Sequence, residues 1–180
     1  FLFRAERAEP DPAKPGDLRL DGYTKAARLS YLLWDAAPDA DLLKAAQTGE
    51  IQTDAGLQKQ LDRMLASPRL SDGVRALFTD VLHFETFDAL TKDGQTYPRF
   101  SQAVADAARE ETLRFLVDHL VTKNGDYRDI FTARDTFINR TLAAIYDVAY
   151  PSAEPWSPYT FAEDSERSGI LTQATFLSLF

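Results

Sequence analysis

Cysteine is absent from the 180 residues of the chain. Without a thiol the segment can form no disulfide, no thiolate zinc site, no c-type haem attachment and no cysteine nucleophile. Histidine is almost as scarce, with only His83 and His119, and a metal or haem site built on them would need carboxylates that converge on both. We therefore predict no cofactor in this segment, and we interpret both histidines as partly buried residues at helix edges.

Long apolar runs and an excess of basic residues are also lacking. No run of about 18 apolar residues occurs, so the sequence predicts no membrane span. The formal net charge is -8, which argues against nucleic acid or anionic lipid as a partner because the summed field repels phosphate. Residues 1–4 lack the basic and apolar regions that open a signal peptide. Both ends, residues 1–3 and 176–180, are instead apolar, and we expect them to pack against protein partners or the rest of a longer chain.

Motifs that carry chemistry are missing as well. The sequence has no phosphate-cradling glycine loop, no HExxH pair and no arrangement typical of a serine nucleophile with its base. Asp35, Asp39 and Asp41 could gather a hard cation, but helix capping accounts for Asp39 and solvent exposure for the other two. The sequence thus predicts no catalytic, cofactor-binding or metal-binding residue.

Residues 20–43 have the clearest helical pattern in the chain. Small and aromatic residues recur there at three- and four-residue spacing, which places them on one face of a helix; they are Tyr23, Ala26, Ala27, Ser30, Leu33 and Trp34. The small residues would let a second helix approach closely, and we expect Trp34 to be buried against a helix at 98–122. Pro38 should stop this helix, and Asp39 is a good N-cap for the next one.

Apolar residues at helical spacing continue through most of the chain and predict an all-α fold, an irregular bundle of about seven helices with a proline-rich C-terminal extension. We expect the helices at 20–35, 71–85 and 98–122 to share one core. The helix at 98–122 is apolar nearly all round, which is typical of a central helix.

The segments outside these helices give the predicted domain limits. Residues 1–19 are interpreted as an irregular connector, residues 20–148 as a helical domain and residues 149–180 as an irregular extension. The last clear helix of the domain carries Ile138, Leu142 and Ile145, and Asp135 is its expected N-cap.

Glu111 is the polar residue that departs most from this pattern, because it lies within the apolar stripe of the 98–122 helix. A carboxylate there must be paired or protonated. We expect an ion pair or hydrogen bond with an arginine such as Arg28, Arg63 or Arg69, and a lowered pKa. The alternative is a buried catalytic acid with a raised pKa that faces a solvent-reachable pocket.

Arg69 and Asn139 are two further polar residues with apolar neighbours, in the runs Ser67-Pro68-Arg69 and Phe137-Ile138-Asn139. We expect each of them to fasten a loop or a helix end.

Several short motifs, taken in order, resemble a bacterial family of unknown function. They are LSYLLW at 29–34, PD at 38–39, LL at 42–43, RML at 63–65, SPR at 67–69, ET at 111–112 with Phe115, FIN at 137–139 and LA at 142–143. The run RSGILTQ at 167–173 resembles the opening of the module that usually follows, and FLFRAE at 1–6 resembles the end of the module that usually precedes. The resemblance therefore adds Arg167 and Gly169 to the structural or interaction candidates.

The family in question is the large multi-module type common in planctomycetes and myxobacteria, whose members are exported and often also carry a cytochrome c domain. The resemblance implies a periplasmic or extracellular location and a redox association, with any haem held by a neighbouring module or partner. It supplies no established catalytic residue.

From these observations we expect a non-catalytic helical scaffold or docking module of a larger exported assembly, and no enzyme activity from this segment alone. One alternative is part of an enzyme, such as a hydrolase, whose site is completed by missing modules. Another is a structural subunit at the cell surface.

Overall fold

The computed structural model of the chain describes residues 6–179. Its architecture is mostly α-helical, an irregular bundle with two small two-stranded antiparallel sheets in the described part, so the predicted fold class is confirmed. The chain divides into two compact units, Phe1–Ala76 (unit 1) and Leu77–Phe180 (unit 2). Across residues 6–179, none of the helices has the length and apolar character needed to cross a bilayer.

Unit 1 begins with a β-hairpin where the sequence predicts an irregular connector. Strand β1, Ala8–Pro10, pairs antiparallel with β2, Leu18–Leu20. Because proline cannot donate to a ladder, Pro10 stands at the end of its strand, and the remaining prolines of this stretch fall in the turn between the strands. Proline content alone therefore misled the interpretation of this segment.

Four helices follow, and local capping explains where they begin. They are α1, Gly22–Trp34; α2, Ala40–Gln47; α3, Asp54–Leu65; and α4, Leu70–Val81, which ends in unit 2. Asp39 caps α2, as predicted, and Thr53 caps α3, since each side chain accepts a hydrogen bond from a free N–H of the first turn. Helix α1 ends earlier than Pro38 requires, because Asp35 adopts a left-handed conformation with φ 50°.

The core of unit 1 forms where α1, α2 and α3 meet. Its buried apolar residues are Ala26, Trp34, Leu42, Ala45, Ala46, Ile51 and Met64. Ala26, Ser30 and Trp34 lie on the predicted stripe of α1 and are buried, whereas Tyr23 is 53% exposed and does not belong to it. Trp34 is in this cluster, where its indole N–H donates to Met64 O at 3.1 Å. Its expected packing partner, the helix at 98–122, belongs to unit 2.

Unit 2 is organised on the long helix α5, Gln102–Val117, which continues as a π-helical turn, Asp118–Thr122. The other elements of this unit are a 3-10 helix, Phe84–Ala89; a 3-10 helix, Tyr127–Phe131; strand β3, Asp135–Ile138; helix α6, Arg140–Tyr146; strand β4, Ser157–Thr160; a 3-10 helix, Ile170–Thr172; and helix α7, Ala174–Leu179. One buried cluster here joins α5, α6, β3 and the C-terminal segment, and it contains Ala107, Ala108, Ile138, Leu142, Ala143, Tyr146, Phe161 and Ala174.

The predicted start of the last clear helix is wrong. Asp135 begins strand β3 instead of capping a helix, and Ile138 belongs to that strand. Strand β3 pairs with β4 in the register Asp135↔Thr160 to Ile138↔Ser157. Strand β4 lies in the proline-rich stretch at 147–168 that the sequence predicts to be irregular. A pairing between segments that are about twenty residues apart leaves no trace in helical periodicity, so the sequence reading missed both strands.

Candidate functional site

Glu111 lies at the centre of unit 2, in the middle of α5. Helix α5 buries residues around most of its circumference, including Ala107, Ala108, Thr112 and Phe115 beside Glu111. The carboxyl group of Glu111 therefore points into protein on a helix that is apolar nearly all round, as the sequence predicts. Its exposed fraction is 0%.

The carboxylate oxygens of Glu111 are held by two hydroxyl groups. Thr136 Oγ1 donates to Oε1 at 2.7 Å, and the phenol of Tyr146 donates to Oε2 at 2.5 Å. Thr136 comes from β3 and Tyr146 from the end of α6, so this one side chain joins three elements of unit 2.

The expectation that Glu111 meets an arginine of the first seventy residues is wrong. Arg28 pairs with Glu6, Arg63 pairs with Asp39 at 2.6 Å, and the guanidinium carbon of Arg69 lies 4.4 Å from the ring centre of Trp34. Spacing along a helix identifies which residue must be satisfied, but not which residue satisfies it.

Burial raises the pKa of Glu111 to about 7 from its ordinary value of 4.5. The hydrogen bonds from Tyr146 and Thr136 and the charge of Arg167 act in the opposite direction, but the loss of hydration outweighs them. The predicted lowering of this pKa is therefore wrong. Burial and the neighbouring charge of Glu111 also raise the pKa of the Tyr146 phenol, which stays protonated and can donate.

A second layer of hydrogen bonds connects this pair to the C-terminal segment. Thr112 Oγ1 donates to Gln173 Oε1 at 2.7 Å, and Gln173 Nε2 donates to Thr136 Oγ1 at 3.2 Å. The backbone N–H of Ala174 donates to the Tyr146 phenol oxygen at 2.8 Å. Because buried polar groups are costly unless paired, this network fixes the C-terminal segment against α5 and α6.

No sequence pattern marked Thr136, Tyr146 or Gln173 as members of the hydrogen-bond network around Glu111. Gln173 offered a signal, because it is a polar residue just before the apolar run at 174–180. Thr136 and Tyr146 offered none that local spacing could reveal, since both lie at least 25 residues from Glu111 along the chain.

Arg167 and Gly169 lie at the start of the same C-terminal segment. The guanidinium carbon of Arg167 is 4.6 Å from the ring centre of Tyr146, and its Nη1 donates to Thr172 O at 2.8 Å. Gly169 has φ 66°, and its N–H donates to Ala133 O at 2.7 Å. A Cβ at Gly169 would lie 2.1 Å from Phe131 O, so only glycine fits there.

An open cavity of about 420 Å³ borders this network in unit 2. Its walls come from the loop at 96–100, from α5 and α6, and from the C-terminal segment; they include Tyr97, Phe100, Val104, Ile145, Tyr146, Ala174 and Leu177 together with Arg99 and Arg167. Tyr146 thus separates the cavity from Glu111, which is not among the lining residues. Glu111 therefore does not face this cavity in the way that the catalytic alternative requires.

The remaining candidates support local structure. Asn139 caps α6, since its Oδ1 accepts from Leu142 N at 2.9 Å, which is the helix-end role predicted for it. Asp39 caps α2 and also pairs with Arg63, whose hydrogen bond holds the pKa of Asp39 below its usual value. The guanidinium of Arg69 stacks on Trp34, and its backbone N–H donates to Ser67 Oγ at 3.3 Å within its own loop.

The two histidines are apart from the Glu111 network. His83 is exposed and lies 3.3 Å from Glu85 Oε1, so the expected partial burial is wrong for this residue. His119 is half-buried, stacks on Phe115 and has Nε2 2.9 Å from Asp126 O. Among residues 6–179, no three histidine or acidic side chains converge in a way that could hold a metal ion.

A family described as PSD4, protein of unknown function (DUF1592), matches the chain over residues 20–148. Comparison with curated proteins and with solved structures finds no match. The family match ends before Arg167, Gly169 and Gln173, although these residues complete the surroundings of Tyr146 and Thr136.

Proposed function

The chain belongs to the PSD4 family of proteins of unknown function (DUF1592), and from this premise we propose that it is a non-catalytic helical scaffold or docking module of a larger assembly. The assembly would be exported, to the periplasm or beyond, and associated with a redox partner that carries the haem. The resemblance of the motifs at 29–34, 137–139 and 167–173 to multi-module exported proteins supports this proposal.

The observation that carries the proposal is the complete burial of Glu111. A catalytic acid must reach its substrate, whereas Glu111 is 0% exposed and both of its oxygens are occupied by internal hydroxyl donors. Its hydrogen bonds hold α5, β3 and α6 together, which is a structural role. A rigid module of this kind is suited to holding other modules at fixed positions.

The docking part of the proposal concerns the apolar C-terminal end. Leu171, within the run that resembles the opening of a following module, is 56% exposed. We commit to that following module as its occupant, because the run at 167–173, which contains this leucine, resembles the opening of such a module. The other apolar end, residues 1–3, lies outside the described residues.

A test can be made in the organism from which the chain comes, with an affinity tag on the protein at its native locus. The scaffold role predicts that the purified protein elutes as a complex with haem absorbance. Leu171→Lys should weaken the complex, while Tyr127→Lys, at a residue that is 53% exposed in another part of unit 2, should leave it intact. Elution without haem absorbance would contradict the redox association, and equal effects of both variants would contradict docking at Leu171.

One observation favours the enzyme alternative. The phenol of Tyr146 lines the cavity and is hydrogen-bonded to a carboxyl group with a pKa of about 7, which is an arrangement that can relay a proton. Tyr146→Phe separates the two functions. In a scaffold it lowers stability and the yield of the complex together, whereas in an enzyme it stops turnover in a complex that remains assembled.

A further inference from the structure

The cavity of unit 2 has an apolar interior and two arginines in its lining. Phe100, Val104, Ile145, Ala174 and Leu177 supply most of the apolar wall. Its volume of about 420 Å³ lies in the range of small-molecule sites. An apolar pocket with a few charged groups fits a ligand that has an apolar body and one polar group.

Neither arginine forms an ion pair with a carboxylate in the described part of the chain, although the charge of Arg167 is felt at Glu111. Arg99 Nη1 donates to Ala144 O at 3.1 Å, and Arg167 Nη1 donates to Thr172 O at 2.8 Å; both partners are uncharged carbonyls. Each guanidinium keeps further N–H groups, because arginine has five donors in total. In a chain of net charge -8, two arginines that line one cavity and form no ion pair among residues 6–179 give this cavity a local positive charge.

Asp147 borders a second cavity together with Arg99, and no ion pair joins the two among the described residues. Two other carboxyl groups near the cavity have partners of their own. Asp93 accepts hydrogen bonds from Thr96 and Gln95, at the loop that forms one wall. Glu111 is sealed behind Tyr146 by its bonds to Thr136 and Tyr146. Neither of them forms an ion pair with the cavity arginines among the described residues.

We propose that this cavity binds a small organic carboxylate, with its apolar body against Phe100, Ile145 and Leu177 and its carboxylate toward Arg99 and Arg167. Guanidinium groups bind carboxylates through charge-assisted hydrogen bonds, and such bonds are stronger than those between neutral groups. A cationic ligand of the same shape is repelled, and a neutral one gains only the apolar contact. This ligand site is independent of the scaffold role, which rests on Glu111 and Leu171.

Three probes with the same eight-carbon body test the proposal, namely octanoate, octan-1-ol and octylamine. Titration calorimetry of the purified full chain should show that octanoate binds at least about tenfold more tightly than either of the others. Methionine keeps the length of arginine without its charge, so Arg99→Met should weaken octanoate binding by about tenfold and leave octanol binding unchanged. Arg140→Met is the control for the loss of a guanidinium elsewhere in unit 2, because Arg140 lies over the ring of Tyr150, at 5.2 Å, and does not line the cavity.

Arg167 needs a milder change, since it also holds Thr172 and covers Tyr146. Arg167→Lys keeps the charge but loses the forked donors, so it should weaken octanoate binding while the melting temperature shows an intact fold. Leu177→Trp should weaken all three probes by filling the cavity. The proposal is overturned if octanoate fails to bind, if octylamine binds equally well, or if Arg99→Met behaves like Arg140→Met.

Discussion

At the scale of single residues, Glu111 links the stability of the protein to pH. Its pKa is about 7 in the folded chain and 4.5 as a free side chain, so the folded state binds the proton more tightly. The stabilisation from this proton is fully present below about pH 4.5 and is lost as the pH rises through about 7. A difference of this size corresponds to about 3 kcal/mol in the free energy of unfolding.

Glu111→Gln should remove this dependence, because glutamine stays neutral. We expect the variant to be less stable than the wild type by about 1–3 kcal/mol at pH 5, where its amide cannot reproduce both hydroxyl contacts. The difference should shrink or reverse by pH 8. Urea unfolding at several pH values measures it, with Glu110→Gln as the control at the adjacent position. Equal pH slopes for the wild type and Glu111→Gln would show that this carboxyl group does not titrate as described.

A second prediction at the residue scale concerns the stability of a variant at Gly169. Gly169→Ala should destabilise unit 2 by about 2–4 kcal/mol, because a side chain there meets the backbone of Phe131 and φ is positive. Gly94→Ala is the control, since a Cβ at Gly94 meets nothing within 4 Å. Thermal unfolding of the two variants compares them, and similar melting temperatures would contradict the close approach.

A third prediction at the residue scale concerns Trp34. Trp34→Ala should cost about 3–5 kcal/mol by leaving a cavity among α1, α2 and α3 and by freeing Met64 O. Trp156→Ala should cost less, because Trp156 is only partly buried beside the core of unit 2. Equilibrium urea unfolding measures both, and a loss under about 1 kcal/mol for Trp34→Ala would place its indole on the surface.

At the scale of elements, helix ends depend on capping and can be tested by removing a cap. Asn139→Ala should destabilise the protein by about 1 kcal/mol, because Leu142 N loses its acceptor at the start of α6. Ser101→Ala is a matched control, since Ser101 precedes α5 but its side chain makes no capping hydrogen bond. Chemical denaturation should separate the two variants, and equal losses would contradict the capping role of Asn139.

The same elements explain how much of the fold could be predicted from sequence. A cap such as Asp39 acts within three residues, and α5 shows its burial in its own spacing, so these features were predictable. Strands β3 and β4 depend on a partner strand that local patterns do not reveal. The need for partners at Glu111 was predictable, but Thr136 and Tyr146 were not, because tertiary packing alone brings them to it.

At the scale of the whole molecule, the C-terminal segment belongs to the core of unit 2. A chain that ends at residue 148 keeps the family match but loses β4, Gln173 and Ala174. We expect the amides of α5 to lose protection from hydrogen exchange in this truncated chain, while those of α1 and α3 keep it. Undiminished protection in α5 would instead support the predicted domain limits of 20–148.

The hydrogen bond between Thr112 and Gln173 joins two residues that a ribosome synthesises at different times. Gln173 follows Thr112 by 61 positions, which take about 3–12 s to synthesise at ~5–20 residues per second. Until the later residue emerges, Glu111 remains hydrated and, near neutral pH, ionised. Completion of unit 2 then takes up hydrogen ions from the surroundings, so the equilibrium of this last folding step favours the folded chain more in a mildly acidic compartment than in an alkaline one.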